Sequence, residues 1–222
     1  MCNGYVLIGA GDFAVEIVCY LADIWHNKSD GPSCVTDIVS SDIARLGDIS
    51  DILGSSPILH EALESVPNLA GKLCIVAIGD PRLRYKFMLE MDARGGQLAT
   101  VIHPTAYVAS TAAIGDGAII CPMAFVGPFA KVGRNCVINV SAVVGHDALL
   151  GECAVMSPGS DVNGHGGVGE GAFLGAGAIV HPKAKLGAFG KLSAGSVLNR
   201  ATDDGFLMHG NPAVGRKMFR RP

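Results

Sequence analysis

Aliphatic side chains recur at every sixth position from Ile102 to Leu198, seventeen hexads without a slip. Ile102, Val108, Ile114 and Ile120 open the series, and Val180, Leu186, Leu192 and Leu198 close it. Four residues after each aliphatic stands a small residue, nearly always Ala, Ser, Cys or Gly. Gly often follows the aliphatic directly, as at Gly115, Gly127, Gly145 and Gly169. A period of six is neither the 3.6 of a helix nor the 2 of a two-faced strand. It predicts short strands joined by regular corners, each burying one branched side chain, stacked into a β-solenoid. Each inward aliphatic contributes roughly 1.5–3 kcal/mol of gross burial, so a charge at one of these positions is expected to unfold its coil.

The first hundred residues follow a different pattern, with apolar runs alternating with helical stretches. Tyr5–Ile8 reads as a buried strand running into Gly9-Ala-Gly11-Asp12-Phe13-Ala14, a G-x-G-x-x-A turn, and then a helix over about 12–24. The first Gly permits the tight turn, and the second lets backbone approach a phosphate at the helix N-terminus; a glycine turn without a ligand is the other reading. Cys34–Asp37 reads as a second strand ending in an acid, where a doubly wound sheet places a group for ribose or base; a solvated strand-end carboxylate is the alternative. Leu73–Ile78 is the clearest internal strand. Gly79-Asp80-Pro81 then opens a helix through about Ala93, with Pro near its first position and Asp80 as cap. A last strand, Leu98–Val101, hands the chain to the hexads at His103-Pro104. The fold class expected is an α/β Rossmann-like domain over 1–100 followed by a solenoid and tail over 101–222. A single half of a dinucleotide fold suits a mononucleotide or nucleotide sugar and no hydride chemistry.

The hexad pattern is the hexapeptide repeat, and with it the second domain resembles the left-handed parallel β-helix proteins, in which three hexads form one triangular coil of about 18 residues. Residues 18 apart then stack on adjacent coils about 4.8 Å apart. His146 and Asp147 fall at an outward corner of the Val144 hexad. Gly164, Pro182 and Arg200 stack in turn on His146, and His165 and Lys183 on Asp147. An imidazole beside a carboxylate, with a bare glycine backbone one coil away, suits acyl transfer. The His is the general base, the acid orients it, and a peptide N–H meets the developing oxyanion. A surface corner histidine is the competing reading. Some hexapeptide proteins are zinc-dependent carbonic anhydrases, but their His pair five residues apart is absent here, and the spacing from His146 to His165 is 19; no metal site is expected.

Composition narrows the field further. The 222 residues carry a net charge of −3, and no basic run precedes the C-terminus, which argues against nucleic acid as a partner. No 18-residue apolar run or charged-then-apolar leader is present, so neither a membrane span nor a signal peptide is expected. Seven scattered cysteines without a C-x-x-C pair predict reduced thiols and a cytoplasmic location. The tail carries Arg216, Lys217, Arg220 and Arg221, either solvated or set against an anionic cofactor.

Taken whole, the chain resembles the sialic acid O-acetyltransferase and bacillosamine N-acetyltransferase family of sugar acyltransferases. The matching motifs are Gly9-Ala-Gly11, Ile78-Gly79-Asp80 with Leu83-Arg84, Ile138-Asn139, Val144-Gly145-His146-Asp147, Ser157-Pro158-Gly159 and Gly210-Asn211-Pro212-Ala213. The resemblance implies acetyl transfer from acetyl-CoA to the amine of a nucleotide-linked aminodeoxy sugar in surface-glycan biosynthesis. It implies a homotrimer with acetyl-CoA held between two prisms, and His146 as base with Asp147 beside it. Gly164, Ala176, Pro182 and Ala194 match positions along the CoA, and the N-terminal domain would hold the nucleotide through residues around Gly11, Asp12, Phe13, Asp37 and Gly79, with Asn139 near the sugar. The chain departs from the family in having Asp12-Phe13 where Gly-His is frequent, a lone Asp37 in place of paired acids, and Val155 where some members have a second His. All three bear on the acceptor. O-acetylation of a sialic acid or another sugar hydroxyl is the nearest rival, and a non-catalytic nucleotide-sugar scaffold a more distant one.

Overall fold

The computed structural model describes residues 4–25 and 35–218. The expected strand start at Cys34, His26 among the histidines, and the tail's Arg220 and Arg221 lie outside the described residues. The chain forms two compact units, Met1–Pro104 and Thr105–Pro222.

In the first unit, β1 (Tyr5–Ile8), β2 (Val35–Val39), β3 (Ile58–His60), β4 (Leu73–Val76) and β5 (Gln97–Leu98) form one parallel sheet in the order β3-β2-β1-β4-β5. This is the half-Rossmann order, with β1 central because its Val6, Leu7 and Ile8 are fully buried. Helix α1 (Asp12–Trp25) buries Ala14, Ile17, Val18, Leu21 and Trp25, a stripe at helical spacing. Helix α3 (Pro81–Ala93) starts where Asp80 caps it, its carboxylate accepting from the N–H groups of Arg82 and Leu83 at 2.8 and 3.0 Å. Between β2 and β3 lies α2 (Leu46–Leu53), which buries Ile49 and Leu53.

The second unit is a left-handed parallel β-helix. Two-residue strands pair in parallel with partners 18 residues away, as Val143–Val144 does with Phe125–Val126 and Asp161–Val162. Three sheets result, one per face. One runs from Tyr107–Val108 to Val197–Leu198 and one from Ala113–Ile114 to Lys185–Leu186. The third includes Ile119–Ile120 and Lys191–Leu192 and ends in the antiparallel pair Phe206–His209 and Val214–Lys217. From Ile120 to Leu198 every hexad aliphatic is at most 4% exposed, and the small residues four positions on fill the same core. The first three aliphatics differ from expectation. Val108 and Ile114 are only partly buried, because the first coil has a coil on one side only, and Ile102 is 39% exposed. Among the described residues no helix is long and apolar enough to cross a membrane.

Candidate active site

The corners of the solenoid place the candidate chemistry. Residues 145–148 make one turn, closed by the Ala148 N–H donating to the Gly145 carbonyl at 3.3 Å. Residues 163–166 make the turn stacked on it, closed by Gly166 N–H to Asn163 C=O at 2.8 Å. His165 N–H donates to the His146 carbonyl at 3.0 Å and joins the two. The approach is close, since a Cβ on Gly145 would stand 2.8 Å from the Gly164 nitrogen. Glycine after the aliphatic is therefore what lets His146 and Gly164 face each other.

His146 Nδ1 lies 2.9 Å from Asp147 Oδ2. Since the carboxylate can only accept, that nitrogen carries the proton and Nε2 is left as the basic atom. Beneath the ring is Gly164, where an added Cβ would stand 2.4 Å from Nε2. The glycine is thus the floor on which the imidazole lies. On the third side is His165, its ring edge-on to His146 with centroids 5.2 Å apart at 88°, and its Nε2 4.0 Å from Asp147 Oδ2. The His146, Asp147 and His165 side chains are 59%, 42% and 53% exposed. At that exposure the ion pairs add little to stability and act by orienting. The arrangement can accept a proton at Nε2, with the backbone of Gly164 beside it.

The sequence assigned no role to His165, although a separation of 19 is one coil plus one residue and sets it over Asp147. His146, Asp147 and His165 also bring three ligand-type atoms within 4.8 Å of one another, so the group has the donors to hold a divalent cation.

The remaining predicted residues divide between corners. Pro182 continues the His146 column. Asn139, Ala176 and Ala194 belong to a different edge of the same prism, in the turns near 140–141, 176–177 and 194–195. The Asn139 side chain is folded back, its Oδ1 accepting from the Val140 N–H at 2.7 Å.

In the first unit, Gly9 has φ +111°, and a Cβ there would stand 2.8 Å from the Ala77 carbonyl, so packing alone demands glycine. Gly11 and Gly79 are different, because a Cβ on either would meet nothing within 4 Å. Both lie just past the carboxyl ends of β1 and β4, where the strand order reverses and open α/β sheets bind ligands. Arg84 is fully buried and donates to the carbonyls of Val76 and Ile78, fixing the end of β4 that carries Gly79. Asp12 is exposed and pairs with Arg45, and Phe13 is half-buried.

Asp37 is corrected by the structure. The sequence places it at a strand end, set for ribose or base or else solvated, but β2 runs on through the buried Ile38 and Val39, and Asp37 is buried in mid-strand. Its carboxylate accepts from Lys72 Nζ at 2.7 Å, His60 Nε2 at 2.8 Å and Thr36 Oγ1 at 2.8 Å. Burial pushes this carboxyl up, but the three hydrogen bonds and the Lys72 charge outweigh it and hold the pKa below the ordinary value.

No protein-family model matches the chain, and no curated protein does. Solved structures match over nearly its whole length. Perosamine N-acetyltransferase from Caulobacter crescentus, a histidine-to-asparagine variant in complex with CoA and GDP-perosamine, is 32% identical over 96% of each chain, with a TM-score of 0.83. The acetyltransferase domain of PglB from Neisseria gonorrhoeae, in complex with acetyl coenzyme A, is 26% identical over 97% of this chain and 100% of that one, with a TM-score of 0.81. WeeI from Acinetobacter baumannii shares the fold at 21% identity and a TM-score of 0.81. With that identity, that coverage and the hexapeptide solenoid behind a half-Rossmann unit, the chain belongs to the hexapeptide-repeat sugar N-acetyltransferases, which are acyltransferases.

Proposed function

We propose that this protein transfers the acetyl group of acetyl-CoA to the amine of a nucleotide-linked aminodeoxy sugar, with His146 as general base. The observation that carries the reading is the His146 ring lying on Gly164 with Nδ1 held by Asp147, which leaves Nε2 as the basic atom. The neutral amine attacks the thioester carbonyl, forming the N–C bond, and His146 Nε2 takes the proton that the nitrogen sheds. The Gly164 N–H steadies the oxyanion. Collapse breaks the C–S bond, and the proton passes from His146 to the departing sulfur, giving the amide and CoA thiol.

The acceptor half rests on the first unit. Gly11 and Gly79 leave open backbone at the switch point, next to the N-terminus of α1, which suits a diphosphate. GDP-perosamine is the first candidate, since perosamine N-acetyltransferase was solved with it. Gly164 and Pro182 lie on one prism edge and Ala176 and Ala194 on another. One CoA contacting both sets calls for two copies meeting edge to edge, which supports the reading of a homotrimer.

The test is thiol release from acetyl-CoA against a panel of GDP-, UDP- and dTDP-linked amino and hydroxy sugars plus free sialic acid. His146→Ala is expected to lower turnover at least about 10²-fold. Undiminished turnover in that variant overturns the base assignment, and turnover with hydroxyl acceptors alone moves the protein to O-acetylation.

A further inference from the structure

We propose that His165 is a positioning residue of this site, completing a His146–Asp147–His165 group in place of a His–Asp pair. The inference rests on the reading of His146 as base.

Three observations converge. Asp147 Oδ2 is approached from two coils, by His146 Nδ1 at 2.9 Å and by His165 Nε2 at 4.0 Å. The His146 ring, 59% exposed, has a floor in Gly164 and a tether at Nδ1, and the His165 ring stands nearly perpendicular to it with centroids 5.2 Å apart. Finally, the His165 side chain stays 53% exposed and contributes little burial, at a corner whose left-handed φ of +59° is shared by residues of many types. Folding of the corner does not need an imidazole here, since Gly159, Gly171 and Gly177 serve at neighbouring corners with the same handedness.

The chemistry gives the third group its use. As Nε2 takes the amine proton, His146 becomes a cation and leans on Asp147. Any swing of that carboxylate or rotation of the ring moves Nε2 off the spot above Gly164. His165 limits both motions, its Nε2 standing 4.0 Å from Asp147 Oδ2 and its ring packed nearly perpendicular against that of His146. Its contribution is to the geometry of the transition state, so it belongs in kcat and not in the affinity for either substrate.

The experiment uses His165→Gly and His165→Asn. Both are matched to the left-handed corner, where this chain already places Gly171 and Asn135, so the coil is expected to fold unchanged. Thiol release is measured with acetyl-CoA and GDP-perosamine, or with the panel member that turns over fastest. His165→Gly is expected to lower kcat about 10-fold while both KM values stay within about 2-fold. His165→Asn, which restores a donor towards Asp147, is expected to recover at least half of that loss on a logarithmic scale. Wild-type kcat in His165→Gly overturns the proposal, as does a loss confined to KM or a loss that His165→Asn leaves untouched. His146→Ala assayed alongside separates the two readings. If it is inactive while His165→Gly is normal, only the role of His165 falls; if it keeps full turnover, the base assignment falls and this proposal with it.

Discussion

At fourteen successive corners, from Gly117 to Gly195, one residue of each hexad is left-handed, and nine of those fourteen are not glycine. Asp147 and His165 are two of the nine, at φ +58° and +59°. The corner thus turns consecutive side chains outward, and stacking at 18 residues brings an imidazole, a carboxylate and a second imidazole together. Gly164 is the residue on which this arrangement is most sensitive. It is not left-handed, so alanine is allowed by its backbone, but the new Cβ would stand 2.4 Å from His146 Nε2. The ring is the end of a side chain and can swing away, so Gly164→Ala is expected to keep its melting temperature within a few degrees. Moving the base by about an ångström costs on the order of 10²-fold in rate, and steady-state kinetics beside a thermal melt checks both halves. The same three side chains could bind a cation, yet a metal taking His146 Nδ1, the nitrogen that faces Asp147, would leave the ring proton on Nε2, the atom that base catalysis needs free. Dialysis against EDTA is therefore expected to leave turnover unchanged, and metal-dependent activity would refute the general-base route.

At the scale of elements, Arg84 joins helix α3 to the end of β4. Replacing it by Met leaves the Val76 and Ile78 carbonyls without that donor, at about 1–3 kcal/mol for each group left unpaired. Arg84→Met is expected to lower the stability of the first unit by about 2–4 kcal/mol in urea melts, and Arg84→Lys is not expected to restore it, because both bonds come from the guanidinium's terminal Nη1, one bond beyond where a lysine ammonium ends. Much of this architecture was legible in the sequence where pattern and chemistry agreed. The hexads announced the solenoid because each coil repeats one demand, and Asp80-Pro81 marked the start of α3 because a cap and a ring-locked φ act locally. Helix α2 and β3 were not legible. Ile58 and Leu59 are exposed in the edge strand β3, and α2 buries only Ile49 and Leu53, so neither carries a periodic signal. Asp37 misled because a carboxylate after apolar residues looks like a strand end. Its partners Lys72 and His60 are 35 and 23 residues away, and only the folded sheet brings them to it.

The two units have separate cores, and their buried carboxyls predict opposite responses to acid. In the first, Asp37 has its pKa held below the unfolded value, so its contribution is present above about pH 4, near the ordinary Asp value, and is lost as pH falls through the lower folded value. In the Glu64–Glu90 pair, backbone hydrogen bonding holds Glu64 down while burial, and then the Glu64 hydrogen bond, pushes Glu90 up, so the two oppose each other. In the solenoid, burial alone raises Asp161, which means the charged form is disfavoured in the fold. A raised carboxyl destabilises at neutral pH and is relieved as pH drops through its folded value. Acidification from pH 7 towards 3 is therefore expected to lower the first unit's unfolding temperature while the solenoid's holds or rises, separating the transitions in calorimetry. Lys72→Met tests the cause. It removes the strongest hydrogen-bonding partner of a buried carboxylate, a loss that reaches 3–5 kcal/mol for fully buried pairs. With 24% of the Lys72 side chain exposed, roughly 2–3 kcal/mol at pH 7 is expected here. The buried Asp37 then favours its neutral form, so the variant's first transition should be less sensitive to acid than the wild type's. An acid slope unchanged by Lys72→Met would place the pH response elsewhere in the unit.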